Sequence, residues 1–141
     1  MDQDINFFRV FMVFGIGTDI VELSRIEKTY NRFGKHFVER LLMPEENTLF
    51  YKNKNPIRFL AMRFAAKESI VKSMGTGFSD GIWIRDIGII NKDSGKPIVV
   101  YSSRGDQMRQ KLGIRKIHIS LTDEAGLVLA FSVAIKSDNN L

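Results

Sequence analysis

The chain is 141 residues long, 44% hydrophobic and 26% charged, which predicts one soluble globular domain with a sizeable core and excludes a fibrous or low-complexity chain. It has no cysteine, which excludes disulfides and thiolate metal sites and predicts a cytoplasmic home, and no apolar run approaches the roughly 20 residues of a spanning helix, so no membrane span is expected. A formal charge of +5 predicts an acidic partner; the basic residues are scattered without aromatic interleaving, so nucleic acid is not the expected one.

Residues 1–11 precede a better start at Met12 and read as an N-terminal extension, without the pattern of a secretory signal. From Val10 to Val21 the run VFMVFGIGTDIV predicts a buried strand, rich in β-branched and aromatic residues. Gly15 and Gly17 weaken it, so each marks either a bulge, the commoner reason, or a close approach by another backbone or a ligand. Asp19 between apolar neighbours implies a positive partner, a metal or a basic side chain, unless it caps a turn. Ser24 and Glu27 have the spacing of a capping box, predicting a helix through Phe33 that Gly34 ends, with Arg25 in its first turn. Further helical segments are expected over Phe37–Leu42 and from Pro44 to Tyr51, and His36 is given no role.

Asn55 to Gly75 predicts one long helix, with Asn55 as N-cap, Pro56 at the first position and Gly75 as the left-handed stop. Ile57, Leu60, Ala61, Phe64, Ala65, Val71 and Met74 fall largely on one stripe, and Ala65 and Ala66 let another backbone approach, so the helix is expected to be central. Glu68 and Lys72 share a face one turn apart, which by itself describes an ordinary exposed helix pair. The glycines of GTGFSDG do not have the spacing of a phosphate-binding loop. Ile82–Ile90 and Pro97–Tyr101 predict a hairpin turning on NKDSGK; Ser102 or Ser103 caps a short helix to Leu112. A second hairpin follows through the turn DEAG, with Leu127, Leu129, Phe131, Val133 and Ile135 alternating with smaller residues and one face buried. Residues 137–141 read as a frayed tail, leaving 12–136 as the single domain.

Two stretches, GIGTDIVELSRIE at 15–27 and RFAAKESIVKSMGTG at 63–77, resemble the holo-acyl-carrier-protein synthases, the small stand-alone 4′-phosphopantetheinyl transferases. Gly95, Lys96 and Pro97, and HISLT at 118–122, extend the likeness over nearly the whole chain. The resemblance implies an α+β fold of the 4′-phosphopantetheinyl transferase type, an antiparallel sheet packed on a long central helix, assembled as a homotrimer with interfacial active sites. It implies transfer of the phosphopantetheine arm of coenzyme A to a serine of apo acyl carrier protein, with magnesium as cofactor. By the same matching, Asp19 and Glu68 hold the metal and act in catalysis with Lys72. Lys72, Arg63, Lys96, His118 and Ser120 contact coenzyme A, and Arg25 docks the carrier protein, whose acidity answers the chain's positive charge. Asp123 stands at the end of the SLT-type strand, where several members of the family it resembles carry a histidine.

Magnesium fits on chemical grounds: it takes about six oxygens and keeps waters, whereas zinc is disfavoured without cysteines or paired histidines. Two other readings share some of these features. A basic module holding polyanions would bind in a salt-dependent way and ignore magnesium, and a metal-dependent phosphoester hydrolase would act without a carrier protein.

Overall fold

The computed structural model describes residues 12–79 and 81–138; the expectations for 1–11 and for 139–141 lie outside the described residues. Strand β1 (Val13–Glu22) leads into three short helices, α1 (Leu23–Phe33), α2 (Lys35–Leu41) and α3 (Pro44–Lys52), and then the long α4 (Pro56–Met74). After a 3₁₀ turn at Ile84–Asp86 come β2 (Ile87–Asn91), β3 (Pro97–Tyr101), α5 (Ser103–Lys111), β4 (Ile114–Glu124) and β5 (Leu127–Lys136). The fold is α+β. An antiparallel sheet in the order β1-β5-β4 lies on α4, and β2-β3 forms a separate hairpin.

Helix α4 begins and ends as its sequence dictates. The Asn55 side chain accepts a hydrogen bond from the Arg58 N–H at 3.2 Å, and Gly75 closes the helix with φ of 78°. Its burial is wider than a stripe: one cluster built on Leu60, Ala61 and Ala65 packs with α1–α3, and another on Ile70, Val71 and Met74 packs with β2 and β4. A helix buried over most of its circumference needs small or internally satisfied polar residues where it meets backbone. Ser69 and Ser73 meet that need, each hydroxyl donating to the carbonyl three residues back. Asn55→Ala is expected to cost about 1 kcal/mol by orphaning the Arg58 N–H, read as a lower denaturant midpoint at unchanged m-value.

Both explanations for the strand glycines occur. The pairing register of β1 with β5 shifts between Val13 and Gly15, a bulge, and α4 crosses so closely that a Cβ on Gly15 or Gly17 would overlap the carbonyl oxygens of Ser73 and Ser69. Across β5, Ala130, Ser132 and Ala134 continue this small-residue floor, and the Ser132 and Ser69 hydroxyls are hydrogen-bonded at 2.6 Å.

Three expectations are corrected. Helix α1 starts at Leu23 with Glu22 as N-cap, and Ser24 makes no cap bond but donates to the Glu22 carboxylate at 3.4 Å. Residues 82–86 are not strand: Asp86 accepts from the Trp83 N–H at 2.7 Å and winds the segment into the 3₁₀ turn. The large residues of β5 also face outward: Val128, Ala130, Ser132 and Ala134 are buried, whereas Leu129 and Phe131 are 39% and 42% exposed. Helix α4 lies too close for bulky side chains, so the small residues take the inner face.

Candidate functional site

The inner face of β1 carries Gly15, Gly17, Asp19 and Val21 in sequence, so the glycines that admit α4 also bring its Glu68 and Lys72 to Asp19. Lys72 Nζ donates to Asp19 Oδ1 at 3.2 Å and to the Thr18 carbonyl at 2.9 Å, which gives the strand carboxylate its positive partner. Burial, reinforced by the negative charge of Asp19, pushes the Glu68 carboxyl above its usual range, against the pull of Lys72 and Arg25. Arg25, from the first turn of α1, lies with its guanidinium carbon 5.9 Å from the centroid of the Phe64 ring, one turn before Glu68. The structure thus brings Asp19, Glu68, Lys72 and Arg25 into one electrostatic neighbourhood between β1, α1 and α4.

Chemically, this is a pair of hard oxygen donors repelling one another beside two cations. Such a pair suits a hard divalent cation and an anionic ligand together. Among the described residues no cluster of three or more His, Cys, Asp or Glu could hold a metal, so water and substrate oxygens would have to complete any coordination shell.

The other sequence-derived candidates gather elsewhere. His118 and Ser120 pair with Val133 and Phe131 on the outer face of the sheet, opposite the face that carries Asp19. Burial, helped by the positive charges of Lys116, Lys96 and Arg115, lowers the His118 pKa and favours a neutral imidazole with Lys96 in its vicinity. A cleft of about 340 Å³ is lined by Arg58, Arg63, Asn91, Pro97 and Ser120, between the β2-β3 hairpin and β4. Arg63 is nearly buried there: its Nη2 donates to the Ile89 carbonyl at 3.0 Å, and its guanidinium stacks 4.0 Å over Phe59. Asp123 accepts a bidentate pair from Arg58 at 2.9 Å, so this side chain ties the end of β4 to α4.

Sequence reasoning missed Glu46 and Lys67. Both are fully buried, and Lys67 Nζ donates to Glu46 Oε1 at 2.6 Å and to the Leu41 carbonyl. Glu46 also accepts the Met43 and Ile89 N–H groups at 3.0 and 3.1 Å and lies 3.4 Å from Arg63 Nε. The available signals were Glu46 at the third position of a Pro-initiated helix, where it can reach back to the N-cap, and a lysine set among the apolar and small residues of α4.

The sequence model of the 4′-phosphopantetheinyl transferase superfamily matches residues 15–131. A holo-[acyl-carrier-protein] synthase of Neisseria meningitidis is 43% identical over 125 residues, covering 89% of this chain and all of that protein. The crystal structure of holo-[acyl-carrier-protein] synthase from Neisseria meningitidis superposes with a TM-score of 0.84 at 42% identity, over 87% of this chain and 98% of that one. A Bacillus anthracis holo-(acyl-carrier-protein) synthase in complex with CoA (3′,5′-ADP) superposes with a TM-score of 0.74 at 33% identity, over 91% of this chain and 100% of that one. By sequence and fold alike, the chain belongs to the holo-acyl-carrier-protein synthase family of that superfamily.

Proposed function

We infer that the chain transfers the 4′-phosphopantetheine group of coenzyme A to a serine of apo acyl carrier protein, releasing adenosine 3′,5′-bisphosphate. The observation that carries this reading is the meeting of Asp19, Glu68 and Lys72 on the fold shared with the holo-acyl-carrier-protein synthases. In the reaction the serine oxygen forms a bond to the phosphorus bearing pantetheine, and the diphosphate bond to the adenosine side breaks.

Asp19 and Glu68 are the residues that would hold magnesium, an all-oxygen pair whose mutual repulsion a divalent ion relieves. Bound there, the ion would neutralise charge on the diphosphate. Lys72 is half exposed and turned toward Asp19, within reach of a phosphate oxygen on the leaving side. The serine must lose its proton, and a carboxylate such as Glu68 is the chain's own candidate to take it. His118 and Ser120 would receive the nucleotide end of coenzyme A, and Arg63 and Lys96 would touch coenzyme A or the neighbouring subunit.

His118 and Ser120 lie on the opposite face of the sheet from Asp19 and at its other edge, so one copy does not gather the whole site. A homotrimer with sites between subunits reconciles the two halves. The outward apolar face, with Ile16 and Ile20 at 64% and 57% exposure beside Leu129 and Phe131, supports such an assembly. The described helices include none long and apolar enough to cross a membrane, and the substrates fit a cytoplasmic enzyme.

The decisive experiment mixes the chain with coenzyme A, magnesium and an apo carrier and reads the carrier by mass spectrometry. A gain of one phosphopantetheine is expected; hydrolysis of coenzyme A with no gain on the carrier would replace this reading with that of a hydrolase. Arg25→Glu is expected to raise the KM for the carrier about tenfold or more, with the KM for coenzyme A nearly unchanged, in steady-state kinetics varying each substrate.

A further inference from the structure

A further concavity lies away from both half-sites. A cleft of about 700 Å³ runs between α2, which offers His36, Glu39 and Arg40, and the 3₁₀ turn, which offers Trp83 and Arg85. It continues past Glu39 and Arg85 into a second hollow of about 430 Å³ bounded by Pro44, Asn47 and Arg104.

Its wall is preset. The carboxylate of Asp86, 5% exposed, accepts the Trp83 N–H at 2.7 Å, the Ser102 hydroxyl at 2.7 Å and Arg104 Nε at 2.9 Å. Arg104 in turn stacks 4.8 Å over the indole of Trp83, which is nevertheless 57% exposed. A large aromatic fixed from behind and left open to water supplies contact area at little ordering cost, the signature of a binding anchor.

Charge indicates the occupant. Within the groove Asp86 is matched by Arg104 and Glu39 by Lys35, which leaves Arg40 and Arg85 with no ion pair among the described residues. The surplus is continuous with α1: Arg25, Lys28 and Arg32 follow one face at helical spacing, Lys35 and Arg40 carry the exposed cations onto α2, and α2 packs on the turn that holds Trp83 and Arg85. A long groove with a cationic rim and a single aromatic anchor fits an extended acidic protein surface better than a compact ligand.

We propose that the Trp83 groove is a second contact for the acidic carrier protein, extending its docking surface from Arg25 across α2 to Arg40, Trp83 and Arg85. This rests on the transferase reading above. Arg40 and Arg85 draw the acidic partner in, and Trp83 packs on its apolar ridge, so the partner is held at two separated places and its orientation is fixed.

Trp83 is the only tryptophan in the chain, so its fluorescence reports on this groove alone. The full chain is titrated with an apo carrier that contains no tryptophan, and carrier kinetics are measured for Arg85→Glu and Trp83→Ala. A saturable change in emission that weakens with salt is expected, together with a rise of about tenfold in carrier KM for Arg85→Glu, at unchanged coenzyme A KM. Unmoved emission with an unchanged carrier KM, while transfer proceeds normally, overturns the proposal and leaves the transferase reading intact. Emission that answers coenzyme A or adenosine 3′,5′-bisphosphate in the absence of carrier overturns it in favour of a small-anion site. Failure of the unaltered chain to label any carrier is a failure of the transferase reading itself, seen by mass spectrometry independently of the fluorescence.

Discussion

Asp19→Ala or Glu68→Ala is expected to lower carrier labelling by about a thousandfold or more while leaving the chain folded. Each change leaves a single carboxylate where the proposed metal site needs two, and no third acidic group among the described residues stands by to replace it. The fold tolerates the loss because neither side chain is a keystone. Asp19 meets a lysine that is half in solvent, and Glu68 is partly buried beside a like charge. The pH dependence follows from the same shift. Since the folded-state affinity of Glu68 for its proton is raised, its favourable contribution is complete below its unfolded value near 4.5 and is lost as pH rises through the folded one. Glu68→Gln should therefore be at least as stable as the unaltered chain at neutral pH, though inactive. Labelling by mass spectrometry, paired with denaturant unfolding, checks both halves; a variant that labels at the unaltered rate ends the assignment of that carboxylate.

Glu46→Ala is expected to cost about 3–5 kcal/mol, a large share of the total of roughly 5–15 kcal/mol for a domain of this size. Removing it strands Lys67, whose ammonium is wholly buried and whose pKa burial already lowers against the attraction of Glu46. It also unpairs the Met43 and Ile89 N–H groups and removes the carboxylate beside Arg63 Nε. The paired replacement Glu46→Leu with Lys67→Met should recover the part of the loss that comes from the stranded ammonium, leaving the part due to the Met43 and Ile89 N–H groups and Arg63. Chemical denaturation of the two variants tests this. A single variant within 1 kcal/mol of the unaltered chain would mean that water reaches Lys67.

What the sequence made legible was local. The cap at Asn55, the stop at Gly75, the hairpin on NKDSGK and the capping of α5 by Ser102 all depend on residues within a few positions of one another, and each stands in the structure. Asp19 was legible because a carboxylate amid apolar strand residues demands a partner, and Lys72 supplies one. The pairing of Glu46 with Lys67 was not, because 21 residues separate them and each alone reads as an ordinary surface charge. The facing of β5 was misread for a different reason. Large residues fill one phase of that strand and mostly small ones the other, and only the narrow clearance under α4 decides which set turns inward.

That clearance also governs which substitutions the strand β1 can accept. At Gly15 and Gly17 the helix carbonyls leave a vacancy of one hydrogen atom, so a saturation library should yield a single solution at each position. At Ile16 and Ile20, which a lone protomer leaves in water, the same library scored for folding of the monomer should be permissive, giving a period-two comb of sensitivity along the strand. Scored for turnover, the comb should fill in wherever the copies of the proposed homotrimer press against the outer face. The difference between the two scores would map the seam between subunits without a crystal of the assembly.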